Sequence, residues 1–263
     1  MFTNSSPTSL KKSHARRIRN LARNRTRKNL LRRLAVESLE DRVLLAVYNF
    51  TAASFSALEG SAANTTNVVM LTRSDSSAAE SVDVLLAAGA TNPATAASDF
   101  TAGPITVNFG VGATTVAVPI QLLGDSTVEL DEKIGLAMTN FSNGGVVGTA
   151  NPTSQLTINN DDVATVSISN ATAVLETNTG TPQLVFNVML NNAVDVPVNV
   201  NFFTQNDTAK ASDNDYVGQA GTLNFSGAAG QTLQVTVNVT GDLKVELNEQ
   251  LFVAINNVQA QGR

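Results

Sequence analysis

The sequence predicts an all-β protein in which two tandem β-sandwiches follow a basic leader. Three observations predict it. Apolar residues alternate with polar ones along short runs, charge divides the chain near Ala46, and the part after that boundary repeats itself once.

Alternation gives the strands. Ile105, Val107 and Phe109 form one set, and Val116, Val118 and Ile120 a second. Val196, Val198, Val200 and Phe202, then Val235, Val237 and Val239, then Leu251, Val253 and Ile255 continue the pattern. A period of two is that of a half-buried strand. The apolar residues are mostly Val, Ala, Leu and Ile, with abundant Thr, which suits a pleated surface better than a helix. Clusters such as Ser142-Asn143-Gly144-Gly145 read as turns between strands.

Charge gives the boundary. Residues 1–46 hold 12 of the 17 Lys and Arg and three acids, Glu37, Glu40 and Asp41, a balance of +9. Residues 47–263 balance at −14, within a net charge of −5. A leader of 1–46 and an acidic body follow.

The repeat gives the domains. Leu58-Glu59 recurs as Leu175-Glu176, Asp99-Phe100 as Asp215-Tyr216, and Asn108-Phe109 as Asn224-Phe225. Gly124-Asp125 recurs as Gly241-Asp242, and Val128-Glu129-Leu130-Asp131-Glu132 as Val245-Glu246-Leu247-Asn248-Glu249. The offset is 116 or 117 residues, which is a whole domain and not a solenoid unit. About seven short strands in such a length indicate an immunoglobulin-like sandwich. The expected domains are 47–162 and 163–263. The second has 14 residues after Glu249 where the first has 30 from Lys133 to Asp162, so its last strand is expected to be missing. Either the chain is a piece of a longer one, or a partner donates the strand.

Chemistry is bounded by what is scarce. There is no cysteine, and the one histidine is His14. The body therefore holds no Ser-His or Cys-His nucleophile pair and no histidine–zinc site. A carboxylate-only enzyme would need two acids about 5–10 Å apart in a cleft, whereas the acids here gather in turns. We expect no catalysis. No stretch of the sequence is apolar for long enough to span a membrane.

The gathered acids suggest a hard cation. Asp125, Glu129, Asp131 and Glu132 place four carboxylates within eight residues. Calcium takes about six to eight oxygens in a flexible geometry. Without an ion such carboxylates repel one another and resist ionisation. The plainer reading is that acids favour turns because turns are solvated.

The ordered set Asp215-Tyr216, Gly221-Thr222-Leu223-Asn224-Phe225, Gly241-Asp242 and Val245-Glu246-Leu247-Asn248-Glu249 resembles the Calx-beta motif. The same order stands in the first copy, which closes with Ile158-Asn159-Asn160-Asp161-Asp162. In the sodium–calcium exchanger such domains bind calcium in loops at one end of the sandwich. The resemblance implies a calcium site in the first domain at Glu59, Asp99, Asp125, Glu129, Asp131, Glu132, Asp161 and Asp162. In the second it implies a weaker site at Glu176, Asp215, Asp242, Glu246 and Glu249, where Asn248 replaces the carboxylate of Asp131 and no closing acidic pair follows.

The leader segment Leu39-Glu40-Asp41-Arg42-Val43-Leu44-Leu45-Ala46 resembles the LEPR-XLL element of large exported bacterial proteins. Leu39, Glu40, Arg42, Leu44 and Leu45 match, and Asp41 stands where that element has proline. Export is the expectation this carries. A nucleic-acid arm through the arginines of 10–33 and an uninformative basic tail are the alternatives. The resulting expectation is a secreted or cell-surface bacterial module with a structural or adhesive role, stiffened by calcium. Its partners would be other surface or matrix proteins or further modules of the same polypeptide. A regulatory calcium sensor is the alternative, and so is a surface fragment that binds no ion.

Overall fold

The computed structural model describes residues 45–263. Leu39, Glu40, Arg42 and Leu44 of the export-like element lie outside the described residues; Leu45 lies within them and is exposed.

The first module contains β1 (Val47–Phe50), β2 (Ser54–Leu58), β3 (Ala63–Thr66), β4 (Met70–Arg73), β5 (Glu80–Ala88) and β6 (Ile105–Phe109). It continues with β7 (Thr115–Ala117), β8 (Ile120–Leu123), β9 (Glu132–Thr139), β10 (Val146–Val147) and β11 (Thr153–Asn159). One sheet has the order β10-β1-β4-β7 and the other β2-β11-β9-β5-β6, with β3 and β8 paired separately. Tyr48, Phe50 and Leu71 from one sheet meet Val82, Val84, Ile134, Leu136 and Leu156 from the other in a single buried cluster. Burying such side chains supplies the main stabilisation, at about 25 cal/mol per Å² of apolar surface.

The expected run Val116, Val118, Ile120 is two strands and not one. Pro119 has no N–H to give a ladder, so β7 ends at Ala117 and β8 begins at Ile120. Ser142–Gly144 is the expected turn, with Asn143 and Gly144 at positive φ.

A buried charge sits in this core. Arg73 is 4% exposed and donates to the carbonyls of Ala113, Ala78 and Gly110 at 2.8, 2.8 and 2.7 Å. It pairs with Glu80 at 3.3 Å and lies 5.1 Å from the centroid of the Phe109 ring. The Tyr48 hydroxyl donates to the same Glu80 carboxylate. Burial, with Glu80 beside it, pushes the Tyr48 phenol up to about 12.

The second module contains β12 (Val166–Ile168), β13 (Gln183–Leu190), β14 (Val198–Asn206), β15 (Ala220–Phe225), β16 (Thr232–Asn238) and β17 (Leu251–Gln259). Its sheets are β12-β13-β16 and β15-β14-β17. By the repeat offset β14 corresponds to β5, β15 to β6 and β17 to β9. β11 has no counterpart among the described residues. The stretch 171–176, which corresponds to β2 and the residue after it, is not a strand, because in the first module β2 takes its hydrogen bonds from β11.

An apolar residue of the first module reaches the core of the second. Val128 of the first module belongs to the buried cluster of the second and is 8% exposed. Its N–H donates to the Ala193 carbonyl at 2.9 Å, and its own carbonyl accepts from Asp195 N–H at 3.2 Å. Val128→Asp would place a carboxylate in that cluster at a cost of several kcal/mol. We expect it to split a single calorimetric unfolding transition into two, while the metal-free far-ultraviolet dichroism stays unchanged.

Candidate metal centre

Four loops of the first module bring the acids together. Glu59 follows β2, where the ladder with β11 holds it: its N–H donates to the Asn159 carbonyl at 2.9 Å. Asp99 sits on a turn whose carbonyl accepts from Leu123 N–H at 2.9 Å, and its carboxylate accepts from Thr95 N–H. Asp125 opens the acidic loop and accepts from Thr127 N–H at 2.6 Å, a turn built by its own side chain. Glu132 begins β9.

This loop crosses the Glu59 loop closely because residue 124 is glycine. A Cβ there would lie 1.7 Å from the Gly60 carbonyl oxygen and 2.7 Å from that of Glu59. The recurrence of Gly124-Asp125 as Gly241-Asp242 has the same cause: a Cβ at Gly241 would lie 2.1 Å from the Thr177 carbonyl oxygen.

Carboxylate oxygens of Asp99, Glu129 and Glu132 lie within 4.8 Å of one another. Glu59 is 4% exposed, and burial with the fields of Glu129, Asp125 and Asp162 pushes its carboxyl up to about 7. Burial, then a hydrogen bond to Asp99 and the charges of Asp99, Glu129 and Glu59, push Glu132 up to about 8. Glu129 is raised by burial and by Asp99, Asp125 and Asp195, and Asp162 by burial and by Asp161 and Asp125. Six candidate carboxylates thus act on one another, Glu59, Asp99, Asp125, Glu129, Glu132 and Asp162, with Asp161 and Asp195 adding to the field at its edge. The Asp162 Oδ2 atom is buried with no hydrogen-bond partner among the described residues. A buried acceptor without a donor is costly, and a hard divalent cation would satisfy it. The donor set, all oxygen, fits calcium.

The other two candidates of this module are differently engaged. One oxygen of Asp131 accepts from Asn160 N–H at 3.1 Å, and one of Asp161 accepts from Gly60 N–H at 2.9 Å. Both residues brace loops. Sequence reasoning missed three contributors. Asn160 also accepts from Glu129 N–H at 3.3 Å, so the end of β11 clasps the acidic loop. Asp195, from the second module, adds to the field on Glu129, and Arg263 offsets it while pairing with Asp195 through Nε at 2.6 Å. Only the fold places these beside Glu129.

In the second module carboxylates of Asp215, Glu246 and Glu249 come within 4.8 Å of one another. Lys244 pairs with Glu246 and takes part of that negative charge. The other two candidates stand apart from this trio. Glu176 is exposed, since no strand binds its segment, and Asp242 accepts from Lys244 N–H at 2.7 Å.

A pH dependence follows. In the metal-free chain Glu132 and Glu59 take up protons at about 8 and about 7 when folded, against about 4.3 for a free glutamate. The folded state therefore binds more protons than the unfolded one between these limits, and stability falls as pH rises through them. In chelator, the melting temperature is expected to be higher at pH 5.5 than at pH 8.5, and saturating calcium should shrink the difference. Equal melting temperatures without the ion would contradict the mutual repulsion.

Fold and site together define a tandem β-sandwich with carboxylate-lined loops in each module. The chain belongs to the Calx-beta domain family, whose model matches residues 46–162 and 159–263. Among solved structures, CBD12 from CALX1.2 is 22% identical, over 81% of this chain and 80% of its own, with a TM-score of 0.38. Calcium binding domain CBD12 of CALX1.1 is 21% identical, over 82% and 81%, with a TM-score of 0.39. The apo-form Calx CBD1 domain is 22% identical, over 45% of this chain and all of its own, with a TM-score of 0.38. No curated protein matches this sequence.

Proposed function

We propose that this chain is a calcium-binding structural and adhesion module of the bacterial cell surface, in which the ion stiffens one sandwich against the next. The observation that carries the reading is the position of Val128. It lies between Asp125 and Glu129 on the acidic loop, and its side chain is buried in the second module's core. An ion held by Glu59, Asp99, Asp125, Glu129, Glu132 and Asp162 would fix that loop and so fix the junction. Calcium would supply the positive charge that six crowded carboxylates lack. The residues orient themselves for it through the Asp125 turn, the Asn160 clasp and the glycine crossing at Gly124.

The same lever supports a second reading, a regulatory sensor in which calcium at the first module changes the setting of the second. Both readings are of binding. Among the described residues no helix is long and apolar enough to cross a membrane. Surface placement rests on the export-like leader. Other surface or matrix proteins, or further modules of the same polypeptide, are the partners this role calls for.

Calcium titration calorimetry on the full chain tests the ion. Saturable heat, with a rise in melting temperature, is the expected result. No heat at millimolar calcium would overturn the reading. Surface placement is tested by fractionating cells that express the chain with and without Leu44→Asp and Leu45→Asp. Wild type is expected in the exported fraction and the variant inside the cell, and equal distributions would overturn export.

A further inference from the structure

We infer that the outer face of the sheet β15-β14-β17 is a docking surface for a neutral polysaccharide. The face is built in cross-strand rows. Phe203 of β14 stands between Ala220 of β15 and Ala254 of β17, and in the next row Asn201 stands between Thr222 and Asn256. Val198 and Val200 of β14 point the other way, into the core, so these residues face outward. Phe203 is 36% exposed, with only methyl groups beside it in its row. Phe252 of β17 is exposed and lies diagonally across from Phe203 on the same face, about 7–8 Å away by the geometry of an antiparallel pair. The Thr222 hydroxyl donates to Asn201 Oδ1 at 2.9 Å. That bond fixes the amide and leaves its nitrogen with no acceptor among the described residues.

The first module has the same frame with a different surface. There Asp83 stands between Thr106 and Thr139, and Leu85 stands beside Ala137. The second module has an amide in place of that carboxylate and a ring in place of that aliphatic chain. The fold requires neither exchange, since the first sandwich forms without them. Their joint effect is to remove charge. β14, β15 and β17 carry no charged residue, and the acids of the second module lie in its loops and turns. A polyanion would be repelled by those loops, and a polycation would be drawn to them and away from the sheet. A neutral sugar chain matches the face itself. The negative face of an aromatic ring attracts the polarised C–H groups of a pyranose, and amides both donate to and accept from its hydroxyls. A sheet face offers no concave pocket of the kind that holds a small ligand. Its rows instead repeat about every 7 Å along the strands, which suits a repeating polymer. Phe203 and Asn201 each have both cross-strand neighbours, so the face does not depend on what lies beside β17.

This extends the adhesive reading proposed above to a ligand class. The test is run in chelator, so that failure of this face and failure of the ion site are told apart. The full chain is sedimented with microcrystalline cellulose, with chitin and with insoluble mannan, and with a polygalacturonate gel as the charged control. Saturable retention on at least one neutral polymer is expected. It should persist in about 1 M sodium chloride, where charge acts over only about 3 Å. Phe203→Leu, which brings in the first module's side chain, should weaken retention roughly tenfold. Asn201→Ala should weaken it about threefold to tenfold, as the loss of one hydrogen bond would. Both variants should keep the wild-type melting temperature, because both side chains face outward. Retention on none of the neutral polymers, loss of retention in salt, or equal retention of Phe203→Leu would overturn the inference. So would a dimer in sedimentation velocity that Phe203→Leu dissolves and the polymers do not compete with, which would assign the face to a second copy of the chain.

Discussion

Replacing Asp99 by Asn and Glu132 by Gln is expected to move stability in opposite directions with and without calcium. At pH 8.5 in chelator, Glu132 is ionised against Asp99, Glu129 and Glu59. Neutral isosteres remove that repulsion and keep the shape, so the metal-free variant should melt above the metal-free wild type. With calcium the order reverses. An ion at one hundred times its dissociation constant stabilises the folded state by about 2.7 kcal/mol, which for modules of this size is roughly 5–15 °C in melting temperature. The wild type should gain this and the variant should not, having lost two charged oxygens from a trio that spans 4.8 Å. A variant that still responds to calcium would place the ligands elsewhere. The matching pair Asp215→Asn with Glu249→Gln reports on the second module, where Lys244 already offsets Glu246.

Glu80→Ala is expected to destabilise the first module by about 3–5 kcal/mol, because it strands a buried charge. Arg73 would keep its three carbonyl partners and lose the one anionic partner it has among the described residues. The Tyr48 hydroxyl would lose its acceptor as well. Urea unfolding measures the effect. The double variant Arg73→Met with Glu80→Leu should recover most of the loss, since a well-packed apolar pair often matches a buried ion pair. If the single variant costs less than 1 kcal/mol, the three carbonyls alone satisfy the guanidinium and the ion pair is incidental. Calcium binding should be intact in either variant, as neither residue lies among the six site carboxylates.

Much of the architecture was legible because side-chain alternation and turn chemistry are local. Ile105-Val107-Phe109 became β6 and Leu251-Val253-Ile255 began β17, as a period of two requires. Pro119 was also readable from sequence as a strand break, though the alternation of Val116, Val118 and Ile120 hid it. The acids of the site were legible as residues but not as a set. Asp131 and Asp161 are as acidic as Asp125 and Asp162 in sequence, yet each accepts a backbone N–H from a different loop, at Asn160 and Gly60, whereas Asp125 accepts one from within its own turn. Glu176 repeats Glu59 in sequence and stays outside, because Glu59 depends on a strand pairing that Glu176 lacks.

By itself the sequence determined the fold class and the two copies and named the candidate carboxylates, all of which depend on neighbours a few residues apart or on direct repetition. Tertiary structure decided what depends on distant partners. Val128 and Val245 occupy the same position in the repeat; the first is 8% exposed and the second 98%. The difference is that, among the described residues, another module lies against the first and none against the second. The same reason separates β9 from β17: local pattern makes a strand, but a strand's edge, its buried face and the field on its acids are set by what packs beside it.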